Sequence, residues 1–376
     1  MNVLCDFHHT DLFRSFRTLF ENRLGMKLFR PIGEDWWEKG YYHHPEPVYG
    51  RGCLSKESFH RGHLRDYDSS GPSHYPHGSD WKEWSWITLA EASEKIDIIV
   101  STHPANERAY AKFQKEVRPR AERIRYIGNE GEGPSEISKN LLCSNLIAHQ
   151  ASKKKYHSLF FHPEFDTALY SWSEPPRWEK PVIRTFLNYI YHNAPQSDKP
   201  LYQKHRAALI SKNYFFTHGL GTPPPGVDLP PGDPLWSYLL EKNGAGYRMP
   251  DLIRSDGEPE THEEISALMK QTNLAWHVKN ADGYGYALHQ LYACGRPVIC
   301  RREDYRGKTG ALLLQDKKTC VMLDGNERDD IRKIERFLEP DENARMCRRA
   351  HDRFRKVVNF EAEAVAVKKF LRGLKR

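Results

Sequence analysis

The sequence has little of what would assign it to several common classes. No stretch of its 376 residues approaches the roughly 18 consecutive apolar residues that a membrane-spanning helix needs. The opening MNVLCDFHHTDLF lacks the basic start and apolar run of a secretory signal. The seven cysteines (5, 53, 143, 294, 300, 320 and 347) are odd in number, scattered, and form no Cys-x-x-Cys pair. That argues against a disulfide framework or a zinc knuckle and predicts free thiols in a reducing compartment, so the expected location is cytoplasmic. No internal repeat is present. The hydrophobic share is only 39% and the mean hydropathy −0.76, which predicts modest cores joined by long polar loops.

What is present is length for two domains and a mild positive excess. The formal net charge is +7 with a pI near 8.9, which favours an anionic partner such as a nucleotide, a nucleic acid or a lipid head group. Much of the excess sits between residues 345 and 376.

Along the chain, residues 1–7 read as a short buried strand. Leu12, Phe13, Phe16, Leu19 and Phe20 then recur at helical spacing until Gly25. Residues 26–33 form a second strand, so the opening predicts a right-handed parallel crossover of a Rossmann-like sheet. Residues 34–86, rich in His, Tyr, Trp, Gly and Pro, lack periodicity and read as an irregular insertion. Alternation resumes with a strand over 96–104, a helix over 106–117, a strand over 123–129, an apolar run over 141–148 and a strand over 158–166. Residues 171–180, with two prolines and two tryptophans, read as a hinge. Strands are expected at 181–191, 214–219, 274–279, 297–301 and 320–324, with a helix at 261–272 opened by a Thr261-x-x-Glu264 capping box. Residues after 341 read as basic amphipathic helices.

The most informative stretch runs from 274 to 301: strand, glycine-containing loop, helix, Cys-Gly-Arg-Pro turn, strand. Gly283 and Gly285 let the backbone approach a ligand closely, and the helix that follows points its first N–H groups at whatever lies there. A diphosphate suits that position. Tyr286, His289 and Gln290 share one helix face, Gly295 ends the helix, and Pro297 prevents its continuation.

This stretch resembles the donor-site signature of glycogen-synthase-like GT-B glycosyltransferases, Glu-Gly-Phe-Gly-x-x-x-x-Glu-Ala-x-Ala-x-Gly-x-Pro-Val. Here it stands as Asp282-Gly283-Tyr284-Gly285, then Gln290, Ala293, Gly295, Pro297 and Val298. In that family the first acid faces the transferred sugar and the second grips the ribose hydroxyls. Asp282 is one methylene shorter than the family's glutamate, and Gln290 replaces the second glutamate with an amide, a weaker partner for a hydroxyl.

The resemblance implies an α/β fold of the GT-B kind, two Rossmann-like domains facing a central cleft. Residues 1–170 would bind the acceptor. Residues 181–340 would bind the nucleotide sugar, and 341–376 would pack back on the first domain. It implies a hexosyltransferase using a nucleotide sugar, with a UDP-sugar expected and no further cofactor required. Expected catalytic residues are Asp11, His103 and Asp282: the first two as candidate bases from the first domain, the third facing the sugar. Expected donor-binding residues are Arg184 and Lys212 as phosphate-binding cations, with Gly283, Tyr284, Gly285, Tyr286, His289 and Gln290. His162, Glu164 and Asp166 would lie near the cleft.

Other patterns are weaker. Asp66-Tyr67-Asp68 matches a metal-binding DxD but does not end a core strand. His60/His63 and His74/His77 have chelating spacing with no helical period or cysteine beside them; no metal is expected. The same region carries Trp36, Trp37, Tyr41, Tyr42, Trp81, Trp84 and Trp86 among His, Arg and Lys, a composition suited to stacking on sugars or bases. Some phage enzymes glycosylate hydroxymethylated pyrimidines with this two-lobed architecture, which requires base flipping. Double-stranded DNA is therefore the main expectation for the acceptor. The alternatives are a glycan, lipid or small molecule, a sugar-nucleotide epimerase, or a non-catalytic nucleic-acid-binding protein of the same fold. Oligomeric state is not legible.

Overall fold

Among the described residues thirteen short strands, most of them largely buried, form two all-parallel sheets. Strands buried on both faces are what a parallel sheet demands. The structure is a computed structural model, and it describes residues 1–6, 10–33, 35–42, 85–129, 131–134, 136–177, 179, 181–186, 205, 208–209, 212, 215–217, 254–255, 261–278 and 283–374. Most of the insertion expected at 34–86 lies outside them, with its DxD, both His pairs, Trp81 and Trp84.

The first sheet comprises β1 (Asn2–Cys5), β2 (Lys27–Pro31), β3 (Trp86–Ile87), β4 (Ile98–Ser101), β5 (Glu122–Ile127), β6 (Asn140–Cys143) and β7 (His157–Phe160). Its order is β3-β2-β1-β4-β5-β6-β7. The second comprises β8 (Ile183–Thr185), β9 (Phe215–Thr217), β10 (Arg254–Ser255), β11 (Leu274–Trp276), β12 (Val298–Arg301) and β13 (Cys320–Leu323), ordered β10-β9-β8-β11-β12-β13. Both are doubly wound. Strand order reverses between β1 and β4 in one and between β8 and β11 in the other, and ligands bind such sheets outside the carboxyl ends of the strands at that point.

The chain divides into two compact units, Met1–Phe165 with Asn359–Arg376, and Asp166–Val358. In the first, Val3, Cys5, Phe16, Phe20, Ile98, Val100 and Tyr126 pack with Val367, Phe370 and Leu371 of the last helix, Phe360–Arg372. That helix is also tied down by polar contacts. His162 donates its backbone N–H to Glu363 at 2.6 Å, and its Nδ1 lies 2.7 Å from the same carboxylate. In the second unit, Ile183, Trp276, Ile299 and Val321 pack with Ile331, Ile334 and Phe337 of helix Glu327–Leu338 and with Met346.

Met346 belongs to helix Pro340–Val357, which lies in the second unit; of the tail expected at 341–376, only the part from Asn359 lies in the first. Residues 171–177 also belong to the second unit. The guanidinium of Arg296 holds them there, donating to the Ser173 carbonyl at 3.1 Å, the Ser173 hydroxyl at 2.6 Å and the Glu174 carbonyl at 3.1 Å.

Candidate functional site

In the second unit the described part of the segment between β11 and β12, from Gly283 on, folds as its sequence requires. Helix Tyr286–Ala293 begins after Gly285, which adopts φ 77° and ψ 60°, a left-handed conformation that costs a glycine nothing. Gly285 has no side chain with which to cap this helix, so among the described residues its amino end keeps backbone N–H groups for another partner. The far end is closed by Gly295, again left-handed at φ 74°. A Cβ there would stand only 2.2 Å from Cζ3 and 2.4 Å from Cε3 of Trp172.

The site residues expected from sequence take different roles. Tyr284 is buried and stacks on His289 with ring centroids 4.2 Å apart. His289 Nδ1 lies 2.9 Å from the Gly285 carbonyl, so His289 braces the glycine turn from beneath. Tyr286 packs edge-on against Tyr284 at 4.9 Å. Gln290 is only 5% exposed and lies on the same helix, four residues after Tyr286. Gly283 is partly exposed. Asp282 lies outside the described residues.

Arg184 and Lys212 stand apart from this group. Arg184 donates to the carbonyl of Gln271 at 2.9 Å and reaches the Thr272 hydroxyl at 3.4 Å. Both acceptors precede β11, which puts the guanidinium at the amino edge of the sheet. Lys212 precedes β9 and pairs with Glu335.

Sequence reasoning missed the loop leaving β12. Arg301 and Asp304 form a buried two-pronged pair at 2.7 and 2.6 Å. Burial raises the pKa of Asp304 from its ordinary value, against the pull of Arg301. Tyr305 stacks on His277, the residue after β11, at 6.1 Å.

In the first unit the carboxyl edge carries Asp6, after β1, and His103, after β4. Asp6 is fully enclosed, and burial raises its pKa to about 6; hydrogen bonds from the Thr102 backbone and the Asn106 side chain, the nearby Arg125 charge and a bond from the His103 backbone oppose the rise. His103 is partly exposed, and its pKa is lowered by burial and then by Arg125. Arg125 is buried beside Glu107 at 4.0 Å and Glu132 at 3.2 Å. Asp11 lies in helix Thr10–Arg17, with its side chain outside what is described.

Residues expected near a cleft have structural partners. Glu164 grips Arg23 at 2.6 and 3.1 Å. Asp166 accepts the N–H groups of Ala168 and Leu169. The six described cysteines are buried free thiols. Among the described residues no cluster suited to a metal ion occurs and no helix is long and apolar enough to cross a membrane.

No protein-family model and no curated protein matches the sequence. Solved structures do. A sucrose-phosphate synthase from Thermosynechococcus elongatus superposes with a TM-score of 0.60 at 12% identity, over 99% of this chain and 98% of that one. Anabaena HepE, solved with UDP-glucose, matches with a TM-score of 0.57 at 12% identity, over 98% and 99%. TarM matches with a TM-score of 0.52 at 12% identity over 73% of this chain, which spans 54% of TarM. With two doubly wound parallel sheets and matches over nearly the full length of such structures, the chain has the GT-B fold of glycosyltransferases.

Proposed function

We propose that this protein is a glycosyltransferase that moves a hexose from a nucleotide sugar, a UDP-sugar by preference, to a hydroxyl acceptor. The observation that carries the reading is the helix start behind left-handed Gly285, with Gln290 buried in its second turn. Backbone N–H groups at such a helix start suit a diphosphate. The Gln290 amide suits a ribose hydroxyl, and Asp282 the sugar. UDP is preferred because HepE, with the same fold, was solved with UDP-glucose.

Asp6 supports a role for His103 on the acceptor side. By holding the backbone of 102 and 103 it fixes the residue from which the imidazole extends, and burial keeps that imidazole neutral at physiological pH. A neutral imidazole can accept a proton from a hydroxyl or bond a sugar hydroxyl. Asp11 is the second candidate base.

For the acceptor, a hydroxyl on a sugar, glycan or small molecule is favoured over DNA. A sucrose-phosphate synthase is among the structures sharing the fold. The first experiment is thermal unfolding of the full chain against UDP, ADP, GDP and UDP-glucose. A ligand at about 100 times its dissociation constant adds roughly 2.7 kcal/mol, enough to raise the midpoint by several degrees. A selective rise with UDP and UDP-glucose is expected, and no rise with any nucleotide would sink the reading.

A further inference from the structure

Two short stretches of the first unit, 153–157 and 368–374, are rich in lysine and contain no acidic residue. They are more than 200 positions apart in sequence, and the fold brings them together around His157. Lys153, Lys154 and Lys155 form the turn into β7, with the N–H groups of Lys155 and Tyr156 both donating to the Ser152 carbonyl at 2.9 Å. The last helix ends at the same place. The His157 ring stacks on Phe370 with centroids 4.4 Å apart, and a Cβ on Gly373 would stand 3.6 Å from the imidazole.

Lys153, Lys154 and Lys155 are exposed, and so are Lys368, Lys369 and Arg372. Basic residues collect at helix carboxyl ends because those ends carry a partial negative charge. Here that accounts for only part of the charge. The two helix ends at this corner, of Leu146–Ser152 and Phe360–Arg372, supply together roughly one negative charge. Glu136 and Lys139, on the stretch before β6, add one of each sign. A clear positive excess remains.

The corner lies at the amino ends of the strands, whereas Asp6 and His103 follow the carboxyl ends of β1 and β4. It is therefore a surface separate from the site already described. Its composition selects among anionic partners. Five of the six charges are lysines, which meet phosphate as point charges and lack the planar fork of arginine. The aromatic rings beside them are occupied: Lys155 lies over Tyr156, 5.4 Å from its centroid, and His157 is stacked on Phe370. Single-stranded nucleic acid is held by stacking on open aromatic faces, and these two stretches offer none. The large hydrophobic residues exposed among the described ones, Met1, Ile147 and Val365, lie outside both stretches, so attraction here is electrostatic.

We propose that this basic corner, built from the Lys153–Lys155 turn and the end of the last helix, docks the protein on the surface of an anionic lipid bilayer. Phosphate head groups are the ligands, and a lysine cluster attracts such a surface without penetrating it. Attachment is peripheral and reversible by salt. Docked by this corner, the first unit turns the carboxyl ends of its strands, with Asp6 and His103, away from the lipid. The proposal does not depend on the donor-site reading.

The test measures cosedimentation of the full chain with vesicles of phosphatidylcholine alone and of phosphatidylcholine mixed with phosphatidylglycerol. Wild type is compared with two triple variants of the corner. One carries Lys153→Gln, Lys154→Gln and Lys155→Gln; the other carries Lys368→Gln, Lys369→Gln and Arg372→Gln. A control removes the same charge from exposed positions of the second unit, with Arg349→Gln, Arg355→Gln and Lys356→Gln. Each is first checked for a wild-type melting curve, and if one corner variant does not fold the other decides. A basic residue near an anionic bilayer strengthens partitioning about fivefold. Each corner variant is therefore expected to bind the mixed vesicles about a hundredfold more weakly, and the control less than about threefold more weakly. Wild-type binding should vanish between about 0.05 and about 0.5 M salt, and neutral vesicles should not bind. No binding of wild type to the mixed vesicles, equal loss in control and corner variants, or binding to neutral vesicles overturns the proposal. Tighter binding to polyuridylate than to the vesicles, lost in the same corner variants, overturns it in favour of a nucleic acid. The thermal shift with UDP reports on the donor site separately, so failure of one reading is distinguishable from failure of the other.

Discussion

The carboxylate of Asp6 receives the backbone N–H of Thr102 at 2.5 Å, bridging the carboxyl ends of β1 and β4. The same carboxylate receives the N–H of His103 at 3.2 Å, and the Thr102 hydroxyl donates to the Asp6 carbonyl. One enclosed acid thus closes the point at which the first sheet reverses its strand order. It also fixes the residue from which His103 extends.

Asp6 makes stability depend on pH with a definite sign. Its folded pKa, about 6, lies above the value near 3.9 of an unfolded aspartate. The folded state therefore holds the proton more tightly, and the contribution is full below about pH 4 and lost as pH rises through about 6. Between pH 5 and pH 7 the loss is about 1 kcal/mol. Urea titrations at the two pH values should show this component in the wild type. It should be missing in Asp6→Asn, and an unchanged pH dependence in that variant would show that Asp6 is not its source.

Gly295→Ala is expected to be among the most damaging single-methyl additions in the second unit. The left-handed backbone costs a side chain about 1–3 kcal/mol, and overlap with Trp172 adds about 1–3 kcal/mol of overpacking. The urea midpoint should fall accordingly. Trp172→Ala in the same background should recover part of the loss, because the two residues share one space.

Phe370→Ala tests the membership of the last helix. Phe370 is buried in the first core and stacks on His157 with centroids 4.4 Å apart. Its truncation should cost about 3–5 kcal/mol. Hydrogen exchange should quicken in β1, β4 and β7, while the amides of β11–β13 keep their protection. Uniform loss across both sheets would mean that the units do not unfold separately.

Gln290→Ala addresses the nucleotide directly. If the amide bonds a ribose hydroxyl, the variant should bind UDP about fivefold to tenfold more weakly, one hydrogen bond's worth, and pyrophosphate as before. Competition binding with the two ligands separates the outcomes, and parallel losses would place Gln290 in support of the helix instead.

Much of the fold was legible because its signals are local. Left-handed Gly285 and Gly295 mark the two ends of one helix, and the Thr261–Glu264 box starts another, with both of its hydrogen bonds formed. Two further starts were present in the sequence and went unread. Thr88 and Glu91 form a capping box for helix Leu89–Lys95, and Asn145 caps Leu146–Ser152, splitting what read as one apolar run into β6 and a helix.

The unread part of the site depends on contacts between distant residues. Asp6 reaches across 96 positions to Thr102. Arg184 looked like a phosphate cation because of its place after the hinge. A side chain can leave a strand toward either edge of the sheet, and the sequence carries no mark of the choice.

The first unit is built from two stretches of chain, Met1–Phe165 and Asn359–Arg376, with the whole second unit between them. During synthesis, which proceeds from the amino end, the first core must wait for Val367, Phe370 and Leu371. The second unit has all of its own residues by Val358 and can finish folding first. A ribosome stalled before the last helix would thus hold a completed second unit and an incomplete first unit whose apolar surface is still open, a state exposed to chaperones and to aggregation.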